Sequence, residues 1–410
     1  MALADPVQSF NQPSRVARAV AGCAFIAAML AGAASIVWSM AAGRISLASD
    51  AWTRSSIMSG ETARGLAAEL ARTPLPVALA DAERAASWLV AGSLGPRVRR
   101  GCDPWLFLND ELAVHLDAGR NAQERLAAVA LVRELLRRRG AELVVATVPD
   151  KSRVQHEQLC GLYRPVSSAD RLSQWEAGLA RHGIPQAALL PALDEVKRGG
   201  EAQPFLTIDT HWTEAGARAA ADALARVVRQ AGLALTPHQQ YRLEPGEPRD
   251  RQGDLLRLAG VDWLPASLLP PPDRVATVRL SPLAPDQQGA SPHSDDASAS
   301  AAAGDAADDL FGDASLPTVA LIGTSYSRTS SFVPFLEAAL STPVPSFAQD
   351  GGDFWGAAKT YLASAEFRET PPRLVIWEMP ERVLQMPLAP EEKAWMQGLK
   401  APARNDRTID

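Results

Sequence analysis

A serine at position 325 stands where an apolar run meets a turn of small residues. Residues 318–322 (TVALI) have the composition of a buried strand, and they lead directly into Gly323-Thr324-Ser325-Tyr326-Ser327. A serine on such a strand-to-helix turn exposes its hydroxyl at the sheet edge and can aim its own N–H at an oxyanion. The pattern indicates a nucleophile, although turns rich in serine and glycine are also common for purely structural reasons.

A carboxylate and an imidazole share one short loop in Asp209-Thr210-His211. A serine attacks as a nucleophile when a neutral imidazole takes its proton and a carboxylate orients that imidazole. Side chains two residues apart in an extended loop project to the same side, so Asp209 and His211 can act together. The sequence therefore predicts a triad of Ser325, His211 and Asp209. The alternatives are a helix N-cap, a structural histidine, or a metal-binding pair for which no third ligand stands out.

The segments around these motifs predict an α/β fold. Apolar residues recur at helical spacing over residues 128–136, Gly140 ends that helix, and a continuous apolar run follows at 143–148. A second helical stretch at 215–228 and a strand at 374–377 repeat the pattern. Such strands are typical of a parallel sheet, whose carboxyl ends carry ligand chemistry. Because Ser325 follows a strand of this kind, we expect the site at that edge.

Six segments spread over most of the chain resemble the AlgJ/AlgX family of SGNH-like polysaccharide acetyltransferases. They are GCDPWLFLNDEL from Gly101, VVATVPDKSRV from Val144, TIDTHWTEAGARAAADALA from Thr207, GDLLRL from Gly253, LFGDASLPTVALIGTSYS from Leu310 and WEMPERVL from Trp377. The DTHW and GTSYS motifs are the specific part. In that family the serine of the second motif is the nucleophile and the aspartate and histidine of the first complete the triad. The resemblance thus implies the same three residues, Ser325, Asp209 and His211.

The resemblance also implies a fold and an activity. The fold would be an SGNH-hydrolase-like parallel sheet flanked by helices, in permuted order because the DxH motif precedes the serine motif here. The activity would be transfer of acetyl groups, through an acyl-serine, to hydroxyls of alginate or a similar exported polysaccharide. An MBOAT-type membrane acyltransferase is the implied acetyl donor, other polysaccharide export proteins are implied partners, and no cofactor is expected. A periplasmic carbohydrate acetylesterase and a non-catalytic scaffold of an export complex are the alternatives.

The surroundings of the triad are less evident from the sequence. Thr324 replaces the aspartate that ordinary SGNH hydrolases carry before the serine, and no second oxyanion donor stands out. Candidates for oxyanion or substrate contacts, each with a structural role as its alternative, are Gly351, Gly352, Tyr326, Lys151 and Arg328. No metal ligands are expected. Glu378 and Arg382 are spaced as a local ion pair that supports the last strand, so we place them outside the site.

An uncharged apolar run near the N-terminus predicts a membrane segment. Residues 19–42 are long enough to cross about 30 Å of hydrocarbon. Arg15 and Arg18 precede the run, so we expect the N-terminus in the cytoplasm and the remaining chain in the periplasm, although Arg44 follows closely on the far side. The predicted location is the inner membrane, with an uncleaved anchor favoured over a signal peptide because the run exceeds the usual apolar region of about 7–15 residues.

The rest of the chain divides by composition. The predicted boundaries are a cytoplasmic tail at 1–18, the anchor at 19–42, a linker with helices at 43–100, the SGNH-like domain at 101–395 with a disordered insertion at 284–309, and a tail at 396–410. Cys102 and Cys160 lie in the predicted exported part, where they either form a disulfide or stay unpaired. A net charge of -6 and a pI near 5.7 argue against nucleic-acid binding.

Overall fold

The computed structural model describes residues 15–46, 52–283 and 316–400. The predicted insertion at 284–309 and most of the two predicted tails lie outside the described residues. The chain divides into two compact units, Met1–Ser93 and Leu94–Asp410. The second unit begins seven residues before the predicted boundary at residue 101 because Val98 is already buried in it and pairs with the following strand.

The described part of the first unit is helical. Its helices are α1 (Arg15–Ala41), α2 (Arg54–Met58), α3 (Glu61–Ala71) and α4 (Pro74–Ala91). Helix α1 has 27 residues and is long and apolar enough to cross a bilayer. It begins before the predicted segment because Arg15 and Arg18 form its first turn. An N-terminal signal sequence forms a helix of the same kind.

The described part of the second unit alternates strands and helices. Its strands are β1 (Val98–Arg100), β2 (Leu106–Leu108), β3 (Glu142–Val148), β4 (Gln186–Ala187), β5 (Tyr241–Arg251), β6 (Asp273–Pro282), β7 (Val319–Ile322) and β8 (Leu374–Pro380). Its helices are α5 (Ala118–Arg138), α6 (Lys151–Val154), α7 (Arg171–Arg181), α8 (Leu189–Gly199), α9 (Glu214–Gln230), α10 (Asp254–Ala259), α11 (Ser325–Arg328), α12 (Phe332–Leu340), α13 (Gly356–Leu362), α14 (Ala365–Glu369) and α15 (Pro390–Lys400).

A four-stranded parallel sheet forms the centre of the second unit, in the order β4-β3-β8-β7. The strands predicted at 143–148, 318–322 and 374–377 are therefore confirmed as β3, β7 and β8, and the helix predicted at 215–228 is α9. Parallel strands end at the same edge, so the residues that follow β3, β7 and β8 lie close to one another. The site is expected at this edge.

Each face of the sheet is covered by helices. On β3, Val144 and Ala146 pack against residues of α8, α9 and α12, whereas Leu143 and Val145 pack against α5, α7 and α13. This alternation follows from the two-residue period of a strand. Both faces of the sheet are buried, which explains why the sequences of these strands are continuous apolar runs rather than alternating patterns. The predicted sheet flanked by helices is confirmed.

Helix α15 reaches past the domain end predicted at residue 395. Met396 is buried, and Trp395 and Leu399 pack against the same hydrophobic cluster as β8. The helix therefore continues to Lys400 because its apolar residues recur on the face that meets the core. Residues 396–400, predicted as the start of a tail, belong to the second unit.

The two cysteines of the second unit are paired. Cys102 follows β1 and Cys160 follows a short 3₁₀ helix, and they form a disulfide across a separation of 58 residues. This decides between the two alternatives that the sequence left open. The bond ties the β1–β2 hairpin to the segment that follows helix α6.

Candidate active site

Ser325, His211 and Asp209 form one chain of hydrogen bonds. The Nε2 atom of His211 lies 2.7 Å from Ser325 Oγ, and its Nδ1 atom lies 2.7 Å from Asp209 Oδ1. A carboxylate can only accept, so Nδ1 carries the proton and Nε2 is left to accept the serine hydroxyl. Asp209 and His211 are buried and Ser325 is partly exposed. The serine is thus the member of the set that a substrate can reach.

The loop that carries Asp209 and His211 is closed at its base. Phe205 and Trp212 face each other in an isolated antiparallel bridge, and both rings are buried in the core. Asp209 Oδ1 also accepts the backbone N–H of His211 at 3.0 Å, which tightens the loop as an Asx turn does. Thr213 then caps helix α9 by accepting the N–H of Gly216. The apolar residues on either side of the DTH motif therefore fix the direction of its side chains.

The second oxygen of Asp209 is held by the end of strand β5 and the start of helix α10. Its Oδ2 accepts from Arg251 Nε at 3.1 Å and from the Asp254 N–H at 3.1 Å. Burial raises the pKa of Asp209, but its hydrogen bonds with His211 and the charge of Arg251 outweigh burial and hold that pKa well below its usual range. The carboxylate therefore stays ionised. The sequence did not predict Arg251, which lies 42 residues from Asp209 along the chain.

The carboxylates of Asp209 and Asp254 lie close enough to His211 to be considered as a metal set. The His211 Nδ1 that would bind an ion is already 2.7 Å from Asp209 Oδ1. Asp254 Oδ1 accepts the N–H and the hydroxyl of Thr210. Because His211 Nδ1 bonds Asp209 and Asp254 Oδ1 accepts from Thr210, the arrangement fits a proton relay better than a metal centre.

Glu378 lies behind the turn that carries Ser325, and the sequence placed it outside the site. Its carboxylate accepts hydrogen bonds from the Thr324 N–H, the Thr324 hydroxyl and the Ser327 hydroxyl. Glu378 does not form the ion pair with Arg382 that the spacing predicted. The guanidinium of Arg382 instead lies over the ring of Tyr326, 5.8 Å from its centroid. A glutamate inside an otherwise apolar strand is the signal that could have marked it.

Lys151 lies under the Asp–His loop rather than in a substrate groove. Its side chain is fully buried, and Nζ donates to the carbonyls of Leu106, Thr207 and Asp209 at 2.7, 2.8 and 3.0 Å. Burial lowers the pKa of Lys151 to about 8, against the opposing charge of Glu111 and other nearby acids. An ammonium group has three protons, and all three are used here. The prediction that Lys151 contacts substrate does not agree with this burial.

Tyr326 is likewise a supporting residue. Its hydroxyl donates to the carbonyl of Thr210 at 2.9 Å, and its ring packs edge-on against His211, with 5.0 Å between centroids. Burial raises the pKa of Tyr326 well above its ordinary value, so the hydroxyl keeps its proton. The side chain is fully buried and does not face substrate. It joins the serine turn to the histidine loop.

The remaining predicted contacts lie on the surface beside the serine turn. Arg328 is exposed and lies 3.7 Å from Asp350, in the loop that contains Gly351 and Gly352. The Gly352 N–H donates to the Gln349 carbonyl, so it is not free to meet an oxyanion in this conformation. Gly351 has a φ of 67°, which glycine adopts without strain. Arg328 and Gly351 therefore stay predictions for substrate and oxyanion contacts.

The sheet, the permuted motif order and the serine–histidine–aspartate cluster are those of an SGNH-like enzyme. A family model described as "SGNH hydrolase-like domain, acetyltransferase AlgX" matches residues 98–381. The chain belongs to this family and is an O-acetyltransferase, as the sequence predicted.

Individual relatives agree with this assignment. The chain is 35% identical over 332 residues to the "Probable alginate O-acetylase AlgJ" of Azotobacter vinelandii, covering 79% of this chain and 80% of the relative. It is 29% identical over 282 residues to the "Alginate biosynthesis protein AlgX" of Pseudomonas aeruginosa, covering 67% and 54%. The solved O-acetyltransferase domain of Pseudomonas putida AlgJ superposes with a TM-score of 0.60 at 31% identity, covering 74% of this chain and 98% of that domain.

Proposed function

We propose that Ser325, His211 and Asp209 are a catalytic triad that carries an acetyl group on Ser325 and passes it to a hydroxyl of an exported polysaccharide. The observation that supports this proposal is the unbroken chain of hydrogen bonds from the Ser325 hydroxyl through His211 to Asp209. A scaffold without catalysis has no need for a partly exposed serine aligned with a buried imidazole and an ionised carboxylate.

In the first step the Ser325 oxygen attacks the carbonyl carbon of an acetyl donor. His211 Nε2 takes the hydroxyl proton as the O–C bond forms, and Asp209 stabilises the resulting imidazolium. The tetrahedral intermediate then collapses, the donor's leaving group departs with the proton from His211, and acetyl-Ser325 remains. Ser325 is the first residue of helix α11, so its own N–H has no carbonyl partner within the helix and can donate to the oxyanion.

In the second step a hydroxyl of the acceptor attacks acetyl-Ser325. His211, now neutral, accepts the proton of that hydroxyl, and the serine leaves with the proton when the intermediate collapses. Water would complete the same step as hydrolysis, so the triad alone does not select a transferase over an esterase. The names of the relatives support a polysaccharide acceptor, and we propose alginate or a chemically similar polymer.

The location of the protein is part of the proposal. Helix α1 would anchor the chain in the inner membrane, with the second unit in the periplasm. The acetyl donor would then be a membrane acyltransferase of the MBOAT type, because the cytoplasm is the source of activated acetyl groups. Other proteins of polysaccharide export would be the remaining partners. The disulfide Cys102–Cys160 supports an oxidising compartment.

The triad is tested by single substitutions in the full chain. Ser325→Ala, His211→Ala and Asp209→Ala should each lower the hydrolysis of p-nitrophenyl acetate on the order of 10⁴-fold or more, because the three residues act as one unit. For the same reason the double variant Ser325→Ala/His211→Ala should lose little beyond the single changes. Mass spectrometry should detect an acetyl group on the peptide that contains Ser325.

The control for this experiment is Ser327→Ala. Its hydroxyl faces Glu378 rather than His211, so this variant should still form the acetyl-enzyme. An alginate oligosaccharide, added to the acetylated enzyme, should leave with the acetyl group faster than water releases acetate. Faster release to water would make the protein an esterase, and full activity of Ser325→Ala would remove the triad from the mechanism.

A further inference from the structure

Glu378 is a buried acid beside the active site that the proposed reaction does not use. It lies in β8, the strand next to β7, and its side chain has no exposure to solvent. Its Oε2 accepts the Thr324 N–H at 2.6 Å and the Ser327 hydroxyl at 2.9 Å, and its Oε1 accepts the Thr324 hydroxyl at 2.9 Å. All three donors belong to the turn that carries Ser325.

These hydrogen bonds hold the turn in place on both sides of Ser325. Thr324 precedes Ser325 and Ser327 follows it by two residues, so the carboxylate holds the backbone before the serine and the helix after it. The hydroxyl of Thr324 also accepts the N–H of Tyr326 at 3.3 Å as the cap of α11. Glu378 thereby orients the Thr324 hydroxyl, which caps the N-terminus of α11.

The packing between Glu378 and the turn leaves little freedom. A Cβ atom at Gly323 would lie 2.6 Å from Glu378 Oε2 and 2.6 Å from Ser327 Oγ, so only glycine fits between the strand end and the carboxylate. A buried carboxylate is stable when hydrogen-bond donors replace the water that it has lost. The turn provides these donors. The glutamate and the glycine are therefore complementary parts of one arrangement.

We propose that Glu378 is a positioning residue for Ser325, holding the turn from the neighbouring strand so that the serine oxygen stays in line with His211. Thr324 has a hydroxyl where ordinary SGNH hydrolases have a carboxylate before the serine. In this chain the carboxylate beside the turn comes from Glu378 of the neighbouring strand. This inference rests on the proposed role of Ser325 as the nucleophile. Glu378 touches no reacting atom, so it acts only through the turn.

The test is Glu378→Gln in the full chain, with rates normalised to the number of serines that form the acetyl-enzyme. A glutamine keeps the size of the side chain but presents an amide that cannot accept from all three donors. The kcat for p-nitrophenyl acetate should fall roughly 10- to 100-fold with KM nearly unchanged, since a misaligned nucleophile loses rate rather than binding. The kcat of Thr324→Val should fall by a similar factor. Thr324→Ser keeps the hydroxyl that valine lacks, so its kcat should stay near that of the wild type.

A double-mutant cycle separates positioning from general destabilisation. Because Glu378 and Thr324 act through the same hydrogen bonds, Glu378→Gln/Thr324→Val should lose little more than the more damaging single variant. Glu392→Gln is the matched control: Glu392 is also buried, but it pairs with Arg125 far from the turn along the chain. It should lower the melting temperature and leave kcat per active serine at the wild-type value.

Two outcomes would overturn the inference, and they differ from failure of the triad. If Ser325→Ala is inactive but Glu378→Gln keeps the wild-type kcat, Glu378 has no positioning role while the triad stands. Equal kcat losses in Glu378→Gln and Glu392→Gln would reduce Glu378 to a contributor to overall stability. If Ser325→Ala remains active, the nucleophile is elsewhere and the inference falls together with the proposed function.

Discussion

Lys151 is a buried cation whose hydrogen bonds connect two separate parts of the chain. It binds the carbonyl of Leu106 in β2 and those of Thr207 and Asp209 in the loop that carries the triad. Its ammonium group also lies 5.1 and 5.2 Å from the ring centroids of Trp105 and Phe107. The aromatic rings and carbonyl dipoles replace the water that the charge has lost. The lysine thus fixes the backbone of Asp209 from below.

We predict that Lys151→Met destabilises the second unit. Methionine fills much of the space but removes three hydrogen bonds to buried carbonyls. The Thr207 carbonyl keeps the N–H of Leu106 at 3.0 Å, and each buried carbonyl left without a donor costs about 1–3 kcal/mol. The free energy of unfolding in urea should fall by about 2 kcal/mol or more. Any folded Lys151→Met protein should also have a lower kcat, because the backbone carbonyl of Asp209 loses its hydrogen bond to Nζ.

Lys197→Met is the control for that measurement. Lys197 also donates to a carbonyl, that of Val154, but its side chain is partly exposed and water can replace it. Its loss should cost less than about 1 kcal/mol. Equal stabilities of Lys151→Met and the wild type would show that the three hydrogen bonds contribute nothing net.

The site residues that the sequence could predict are those that lie in short motifs. Ser325, His211 and Asp209 lie in short motifs in which residue type and spacing both carry information. Lys151 and Tyr326 were candidates for oxyanion or substrate contacts because they stand beside the motifs, and the charge of Lys151 suits an anionic sugar. The sequence gives the charge of a lysine but not the direction of its Nζ, which depends on carbonyls far away in the chain. Glu378 was missed for the same reason.

At the scale of elements, strands buried on both faces were the most predictable part of the fold. Strands β3, β7 and β8 are recognisable in the sequence because continuous β-branched and apolar runs are typical of strands buried on both faces. The ribbon of β5 and β6 was not predicted, because β5 is mostly exposed and contains Pro245 and Pro248. Leu243 of β5 and Val278 of β6 are only partly buried where they pack against the core. Yet Arg251 of this ribbon holds Asp209.

The disulfide adds a covalent connection between the β1–β2 hairpin and the segment that follows helix α6. Cys102 and Cys160 close a loop of 58 residues, for which chain entropy predicts about 4 kcal/mol of stabilisation through the unfolded state. We therefore expect Cys102→Ser and Cys160→Ser each to lower the free energy of unfolding by about 2–4 kcal/mol. Urea unfolding of the oxidised protein measures the difference.

Thiol counting provides the control for the disulfide. The denatured, unreduced wild type should expose one reactive thiol, that of Cys23, and reduction should raise the count to three. Cys23→Ser should leave the stability of the second unit unchanged. Three reactive thiols before reduction would contradict the pairing.

At the scale of the whole molecule, the two units carry different kinds of surface. Helix α1 exposes large apolar side chains along its length, among them Phe25, Leu30 and Trp38. In the second unit the large apolar side chains are mostly packed in the two clusters beside the sheet. An apolar surface like that of α1 is stable in a lipid bilayer and costly in water. The contrast supports the proposal that α1 anchors the chain in a membrane.

The last prediction concerns the orientation of this anchor, tested by cysteine labelling of the full chain in a Cys23→Ser background. Ser173 is exposed on α7 and Val16 is exposed at the start of α1. Because Arg15 and Arg18 should stay in the cytoplasm, a membrane-impermeant maleimide should label Ser173→Cys on intact spheroplasts. It should label Val16→Cys only after the membrane is permeabilised. The reverse pattern would place the second unit in the cytoplasm, whereas a soluble protein after cell fractionation would mean that α1 is removed as a signal peptide.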